Sequence, residues 1–186
     1  MRTDDLYKLP EDLPVPVDDG AAAHLTGLRL PAIALEATDG SRVDLSTVDG
    51  RAVVFAYPRT GHPDRPPLVA DWNAIPGARG CTPHTCGYRD LAAEFAALHT
   101  RVLGLSTQDS EYQRELVARL SLPFPVLSDH ELRLAHALRL PTFEVAGFTL
   151  LKRLAWIQND GVIERVFYPV FPPDQNAAVV LRALRQ

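Results

Sequence analysis

The run Ala52-Val-Val-Phe-Ala-Tyr57 lies between Gly50 and Pro58 and contains no polar residue. It has the length of a strand but not the polar alternation of a half-exposed one, so neither of its faces can meet water. The pattern demands a sheet covered on both sides. The rest of the chain supplies the covers. Residues 88–98 place Leu91, Phe95 and Leu98 at intervals of four and three, the spacing of an amphipathic helix. Residues 101–106 read as a strand, 110–120 as a helix, 124–127 as a strand and 130–138 as a helix, with Ser128 or Asp129 available as its cap. Strands that alternate with helices predict a parallel sheet segment.

A hairpin around Asp39-Gly40, within residues 32–46, precedes the buried strand. A second hairpin, 149–158 with 162–170, turns at Asn159-Asp160-Gly161, and a final helix runs from about Pro173 to Arg185. This order is that of an α/β protein with a thioredoxin-like fold: a central mixed sheet flanked by helices, with an N-terminal β-hairpin extension. Residues 1–27, rich in Asp, Pro and Ala, read as an extended N-terminal arm, and residues 28–186 as one domain. Residues 59–79 form a Pro-rich insertion loop too long for an ordinary connection. Its expected role is a lid over the cysteines described next.

Only two cysteines occur among the 186 residues, both in Cys81-Thr-Pro-His-Thr-Cys86. A bond closing so short a loop removes little unfolded-state entropy, so the pair reads as chemical rather than architectural. On an ideal helix, residues five apart are separated by about 140° around the axis and about 7.5 Å along it. A disulfide needs Cα atoms closer than about 7 Å with converging side chains, so forming one requires the first turn to unwind. Pro83 suits that, since it is tolerated in a first turn while removing a backbone donor.

Cys81 follows Gly77-Ala-Arg-Gly80 and is expected at a helix N-terminus, where unpaired N–H groups favour an anion. Shifting a thiol from an ordinary pKa of about 8.5 to about 6 takes about 3.4 kcal/mol. A helix end supplies at most ~2 kcal/mol. A cation must therefore also approach Cys81, and Arg153 or Lys152, Arg79 and Arg59 are the candidates. Such acidity costs about tenfold in intrinsic nucleophilicity, so a fast thiol also needs donors fixed around the bond it attacks.

The segment Gly80-Cys-Thr-Pro-His-Thr-Cys-Gly-Tyr-Arg-Asp90 resembles the active-site segment of peroxiredoxins of the peroxiredoxin Q or bacterioferritin-comigratory-protein type. Further landmarks follow in the family's order: Asp39-Gly-Ser-Arg-Val-Asp-Leu-Ser46, Val53-Val-Phe-Ala-Tyr-Pro58, Val102-Leu-Gly-Leu-Ser-Thr107, Phe124-Pro-Val-Leu-Ser-Asp129 and Asp160-Gly161. The resemblance covers roughly residues 28–185. It implies a peroxidatic Cys81 and a resolving Cys86 that form an intramolecular disulfide, recycled by a thioredoxin-like dithiol. It implies hydrogen peroxide or alkyl hydroperoxides as substrates, and no metal, flavin or haem. The family's Pro and Thr would be Pro58 and Thr60, separated from Cys81 by the insertion, because Ala78 stands where the family hydroxyl is expected. Thr82 or main-chain groups are the substitutes. The family arginine would be Arg153, with Lys152 as the alternative.

Rival readings use the same residues. A general thiol–disulfide exchange protein would favour Cys-x-x-Cys, absent here, and a redox sensor would use the pair without turnover. A zinc site would need four ligands, and Cys81, His84 and Cys86 have only the distant His99 to add. His84 is expected to be a solvated side chain, and Tyr57, Trp72 and Tyr88 to be packing. A net charge of −4 argues against nucleic acid or an anionic membrane as partner. The acidic, Pro-containing start does not read as a signal peptide, so the expectation is a cytoplasmic protein, monomeric or weakly dimeric.

Overall fold

Successive residues of the apolar run feed two different cores. The computed structural model describes residues 4–186, and in it Ala52, Val54 and Ala56 join one buried cluster while Val53, Phe55 and Tyr57 join another on the opposite face. In chain order the elements are β1 (Ala34–Ala37), β2 (Arg42–Asp44), β3 (Arg51–Ala56), α1 (Cys81–Asp90), α2 (Ala92–Ala97), β4 (Thr100–Ser106), α3 (Ser110–Leu120), β5 (Val126–Ser128) and α4 (Arg133–Leu138). There follow β6 (Thr142–Val145), β7 (Phe148–Leu151), β8 (Leu154–Asn159), β9 (Val162–Phe167) and α5 (Asn176–Leu184).

Seven strands form one mixed sheet in the order β2-β1-β5-β4-β3-β8-β9. Strands β3, β4 and β5 are parallel, and β8 closes antiparallel on β3 with Val53 opposite Ile157. Helices α1, α2, α3 and α5 contribute Tyr88, Phe95, Leu116 and Val180 to the cluster on the Phe55 face, and α4 contributes Leu134 and Leu138 to the other. This is the expected α/β, thioredoxin-like arrangement, with the β1–β2 hairpin as its front extension.

Three local differences bear on the site. The helix read over 88–98, with the cysteines in its first turns, is two helices interrupted at Leu91, and the first begins at Cys81. The interval pattern ran across the break because Leu91, Phe95 and Leu98 all pack on the same core. The strand expected over 149–158 is also two, β7 and β8, with Lys152 and Arg153 at the corner between them. Strand β7 pairs not with the main sheet but with β6, around Ala146 and Gly147, which both take positive φ as a tight hairpin turn requires.

This extra hairpin receives residues 59–79. Trp72 and Ala78 from the loop bury against Leu150, with Leu68, Ile75, Phe143 and Val145 packed around them, so the loop carries a small core of its own. The N-terminal arm is likewise tied down rather than simply extended. Residues 21–24 turn, Leu25 is fully buried, and Arg79 donates to Asp4 and to the carbonyls of Asp5 and Lys8. The first three residues of the expected arm lie outside the described residues.

Candidate active site

Gly80 takes φ of 100°, a left-handed conformation that glycine adopts without a Cβ penalty, and α1 starts on the next residue. A Cβ here would lie 2.5 Å from Cγ of Pro173 and 2.8 Å from Cδ2 of Leu9. The turn therefore lets the arm and the segment before α5 close over the helix start. Cys81 is thus the first residue of the helix, among the unpaired N–H groups of its first turn, and only 3% exposed.

Arg153 completes the site. Its Nη2 lies 3.2 Å from Cys81 Sγ and also donates to the carbonyls of Gly77 (3.1 Å), Ala78 (3.4 Å) and Arg79 (3.0 Å). Its Nη1 lies 3.0 Å from Nδ1 of His84, and its Nε is buried without a partner. Arg153 is 3% exposed, and no carboxylate among the described residues forms an ion pair with it. Burying a guanidinium among neutral acceptors is costly unless an anion compensates. The group this guanidinium faces at 3.2 Å is the sulfur of Cys81. As a thiol, Cys81 faces the Ala78 carbonyl at 3.6 Å.

The other candidate cations are engaged elsewhere. Lys152 pairs with Asp19 at 2.6 Å, Arg79 pairs with Asp4, and the Arg59 guanidinium lies over the rings of Tyr112 and Phe148. Pro58 and Thr60 are not brought into hydrogen-bonding contact with Cys81. Pro58 accepts from Ser106, and Thr60 Oγ1 donates to Gln108 Oε1 at 3.1 Å, the same oxygen its backbone N–H uses. Thr82 Oγ1 is buried without a hydrogen-bond partner, and at Ala78 the main-chain carbonyl faces the sulfur.

His84 corrects an expectation. It is fully buried rather than solvated, in T-shaped contact with the rings of Phe55 and Tyr88 and with its Nε2 2.9 Å from Oδ1 of Asn176. Burial and the nearby Arg153 charge hold its pKa well below the ordinary histidine value, so the imidazole is neutral. The available signal was its position three residues after Cys81, which puts both on one helix face. Once Cys81 points inward, so must His84.

Cys86 lies further along α1, half-buried, and both cysteines are free thiols. Burial raises the Cys86 pKa, with Arg89 and Arg119 opposing and Asp90 reinforcing the rise. Tyr57 and Tyr88 are buried packing residues whose hydroxyls bond Gln113 and Asn176, and Trp72 packs within the loop core. Beside Arg153 opens a mainly apolar cleft of about 240 Å³, lined by Val17, Ile75, Phe143, Tyr168 and Val170. Among the described residues no three His, Cys, Asp or Glu side chains converge as a metal site would require.

A family model described as Redoxin matches residues 25–182. The chain is similar to the chloroplastic peroxiredoxin Q of Oryza sativa subsp. japonica, 26% identical over 160 residues, which are 86% of this chain and 66% of that protein. It thus spans somewhat under two thirds of that relative's length. It is also similar to peroxiredoxin Bcp of Escherichia coli (strain K12), 28% identical over 161 residues, covering 84% of this chain and 92% of that one. Among solved structures, peroxidoxin BcpB from Mycobacterium tuberculosis superposes with a TM-score of 0.70 at 27% identity, covering 86% of this chain and 96% of that chain.

Proposed function

The chain belongs to the Redoxin family, in its peroxiredoxin Q and Bcp branch, and we propose that it is a thiol-dependent peroxidase in which Cys81 attacks the peroxide. The observation that carries this reading is the buried Arg153, which has no carboxylate partner among the described residues and stands 3.2 Å from Cys81 Sγ at a helix N-terminus. Two sources of positive potential, the helix end and the guanidinium, converge on one sulfur.

The thiolate displaces one peroxide oxygen in line. The S–O bond forms as the O–O bond breaks, the sulfur is oxidised to sulfenic acid, and the departing oxygen takes up a proton and leaves as water or alcohol. Arg153 holds donors on both its terminal nitrogens and can stabilise the charge that gathers on that oxygen. Cys86 then condenses with the sulfenic acid, losing water and forming the Cys81–Cys86 disulfide. A thioredoxin-type dithiol reduces the disulfide and restores both thiols.

Hydrogen peroxide and alkyl hydroperoxides are the proposed substrates, and the apolar cleft beside Arg153 supports the second. We take residues 28–186 as the catalytic domain, with residues 59–79 as a packed cover beside Cys81 and the N-terminal arm as a strap across them. No helix among the described residues is long and apolar enough to cross a membrane, and the proposal is a cytoplasmic enzyme acting as a monomer or weak dimer.

The test is peroxide-dependent oxidation of NADPH through thioredoxin reductase and thioredoxin. Wild-type protein should sustain many turnovers and Cys81→Ser none. Undiminished turnover by Cys81→Ser would overturn the assignment, and oxidation that stops after one equivalent with reductant present would favour a sensor.

A further inference from the structure

We infer that His84 and Asn176 are positioning residues that set the Arg153 guanidinium against Cys81; this rests on the reading of Cys81 as the attacking thiol. Arg153 touches the sulfur directly, whereas His84 and Asn176 act through it.

Arginine has five donors and no acceptor, so the group 3.0 Å from Arg153 Nη1 must accept. That group is Nδ1 of His84, which therefore carries no proton. A neutral imidazole with a bare Nδ1 carries its proton on Nε2, and this N–H meets Oδ1 of Asn176 at 2.9 Å. The same oxygen accepts from Tyr88 O–H at 2.6 Å. Two donors converge on one amide oxygen, and with Asn176 presenting oxygen rather than nitrogen every contact in the chain is a donor facing an acceptor. The opposite tautomer, or an imidazolium, would set N–H against the guanidinium N–H.

The groups facing His84 are Arg153, Asn176, Tyr88 and the ring of Phe55. No carboxylate among the described residues pairs with Arg153, so a neutral histidine does what an acidic side chain would otherwise do for a buried guanidinium. The lack of that neighbouring negative charge leaves the guanidinium's field directed at the sulfur. Asn176 is the first residue of α5 and 5% exposed, and α5 packs on α1 through Ala177 and Val180. The C-terminal helix thereby reaches the reacting thiol through two side chains.

The first test needs no substitution. Nitrogen-15 spectra of the imidazole in the intact reduced protein at neutral pH should show His84 as the Nε2–H tautomer. A proton on Nδ1 would overturn the inference. The second is a double-substitution cycle. His84→Leu should slow single-turnover oxidation of Cys81 by hydrogen peroxide about tenfold and move the pH profile of its alkylation upward. His84→Gln, whose amide oxygen can accept from Arg153, should recover most of that loss.

In an Arg153→Met background, His84→Leu should cost little more. An equal cost in both backgrounds would mean that His84 acts through packing alone, and would sink the inference. Should His84→Leu fail to fold, Asn176→Leu in the same cycle and the spectrum of the intact protein still decide it. If Cys81→Ser still consumed peroxide, the function assigned above would fail whatever the tautomer. If peroxide consumption needs Cys81 but the cycle is additive, only the positioning role fails.

Discussion

Arg153 Nη2 and Cys81 Sγ stand 3.2 Å apart, and the same nitrogen also points at three consecutive carbonyls, from Gly77 to Arg79. The planar group is held by the loop that ends in the cysteine, so its position is set before any substrate arrives. An ammonium has no second nitrogen with which to hold His84 while facing the sulfur. Arg153→Lys should therefore lower kcat/KM for hydrogen peroxide by about 10²–10³-fold, the range seen when one preorganised donor is removed. Stopped-flow measurement of Cys81 oxidation checks this, and a loss under about threefold would contradict it.

Gly80 links backbone conformation to the same site. Any side chain there meets Pro173 at 2.5 Å and Leu9 at 2.8 Å, and must also hold φ of 100°. Gly80→Ala should lower stability by about 1–3 kcal/mol, typical of a residue forced into a disfavoured conformation. For a chain of this size that lowers Tm by about 2–4 °C per kcal/mol. Because the displaced groups rest on the first turn of α1, peroxide reduction should fall as well. Calorimetry with parallel rate measurements reads both effects.

The buried sheet, the parallel segment and α3 were legible because their periodicities are local. Residues 52–57 needed two covered faces, and residues 110–120 read as a helix, which the structure caps with the side chain of Asp109. Strands β6 and β7 escaped because each has four residues and their partner, the core around Trp72, lies some seventy residues earlier. Arg153 was identifiable as the cation but not as a corner residue, since only the break between β7 and β8 turns it inward. Thr60 was favoured by motif order as the family hydroxyl, and in three dimensions that hydroxyl donates to Gln108. His84 was the main omission, because helix-face arithmetic has consequences only once the inward face is known.

The arm makes its own prediction. Arg79 is one residue from the glycine that starts α1, and its side chain holds Asp4, Asp5 and Lys8 from across the sequence. Hydrogen bonds to a charged group contribute about 1.5–3 kcal/mol. Arg79→Ala should release residues 4–12, seen as faster amide exchange and earlier proteolytic cleavage there, while the exchange of β3 and β4 amides stays unchanged. Protection of the arm equal to wild type would show that Leu6 and Leu9 hold it without the guanidinium.

Cys86 couples pH to the shape of α1. With both cysteines on one intact helix their sulfurs cannot meet, so disulfide formation must pass through an unwound first turn. Thr85 weakens that turn by bonding its hydroxyl back to the Cys81 carbonyl at 2.9 Å, a contact that tends to bend helices. In the folded turn, burial raises the Cys86 pKa, and unwinding returns it toward the ordinary thiol value of about 8.5. A group whose folded pKa is raised supports the folded form fully below its unfolded pKa, and that support is lost as pH rises through the folded value. Deprotonation of Cys86 therefore favours the unwound form and, in the resolving role proposed for it, supplies the attacking thiolate. Both effects have the same sign. The rate of disulfide formation after Cys81 oxidation should climb as pH rises toward and beyond about 8.5, and the protection of amides 84–88 relative to their intrinsic base-catalysed exchange should fall with it. Cys86→Ser should abolish the disulfide and make the protection of amides 84–88 independent of pH, leaving a sulfenic acid on Cys81 that a dimedone-type probe captures. A resolution rate independent of pH from 6 to about 9 would mean that unwinding is not linked to Cys86 ionisation.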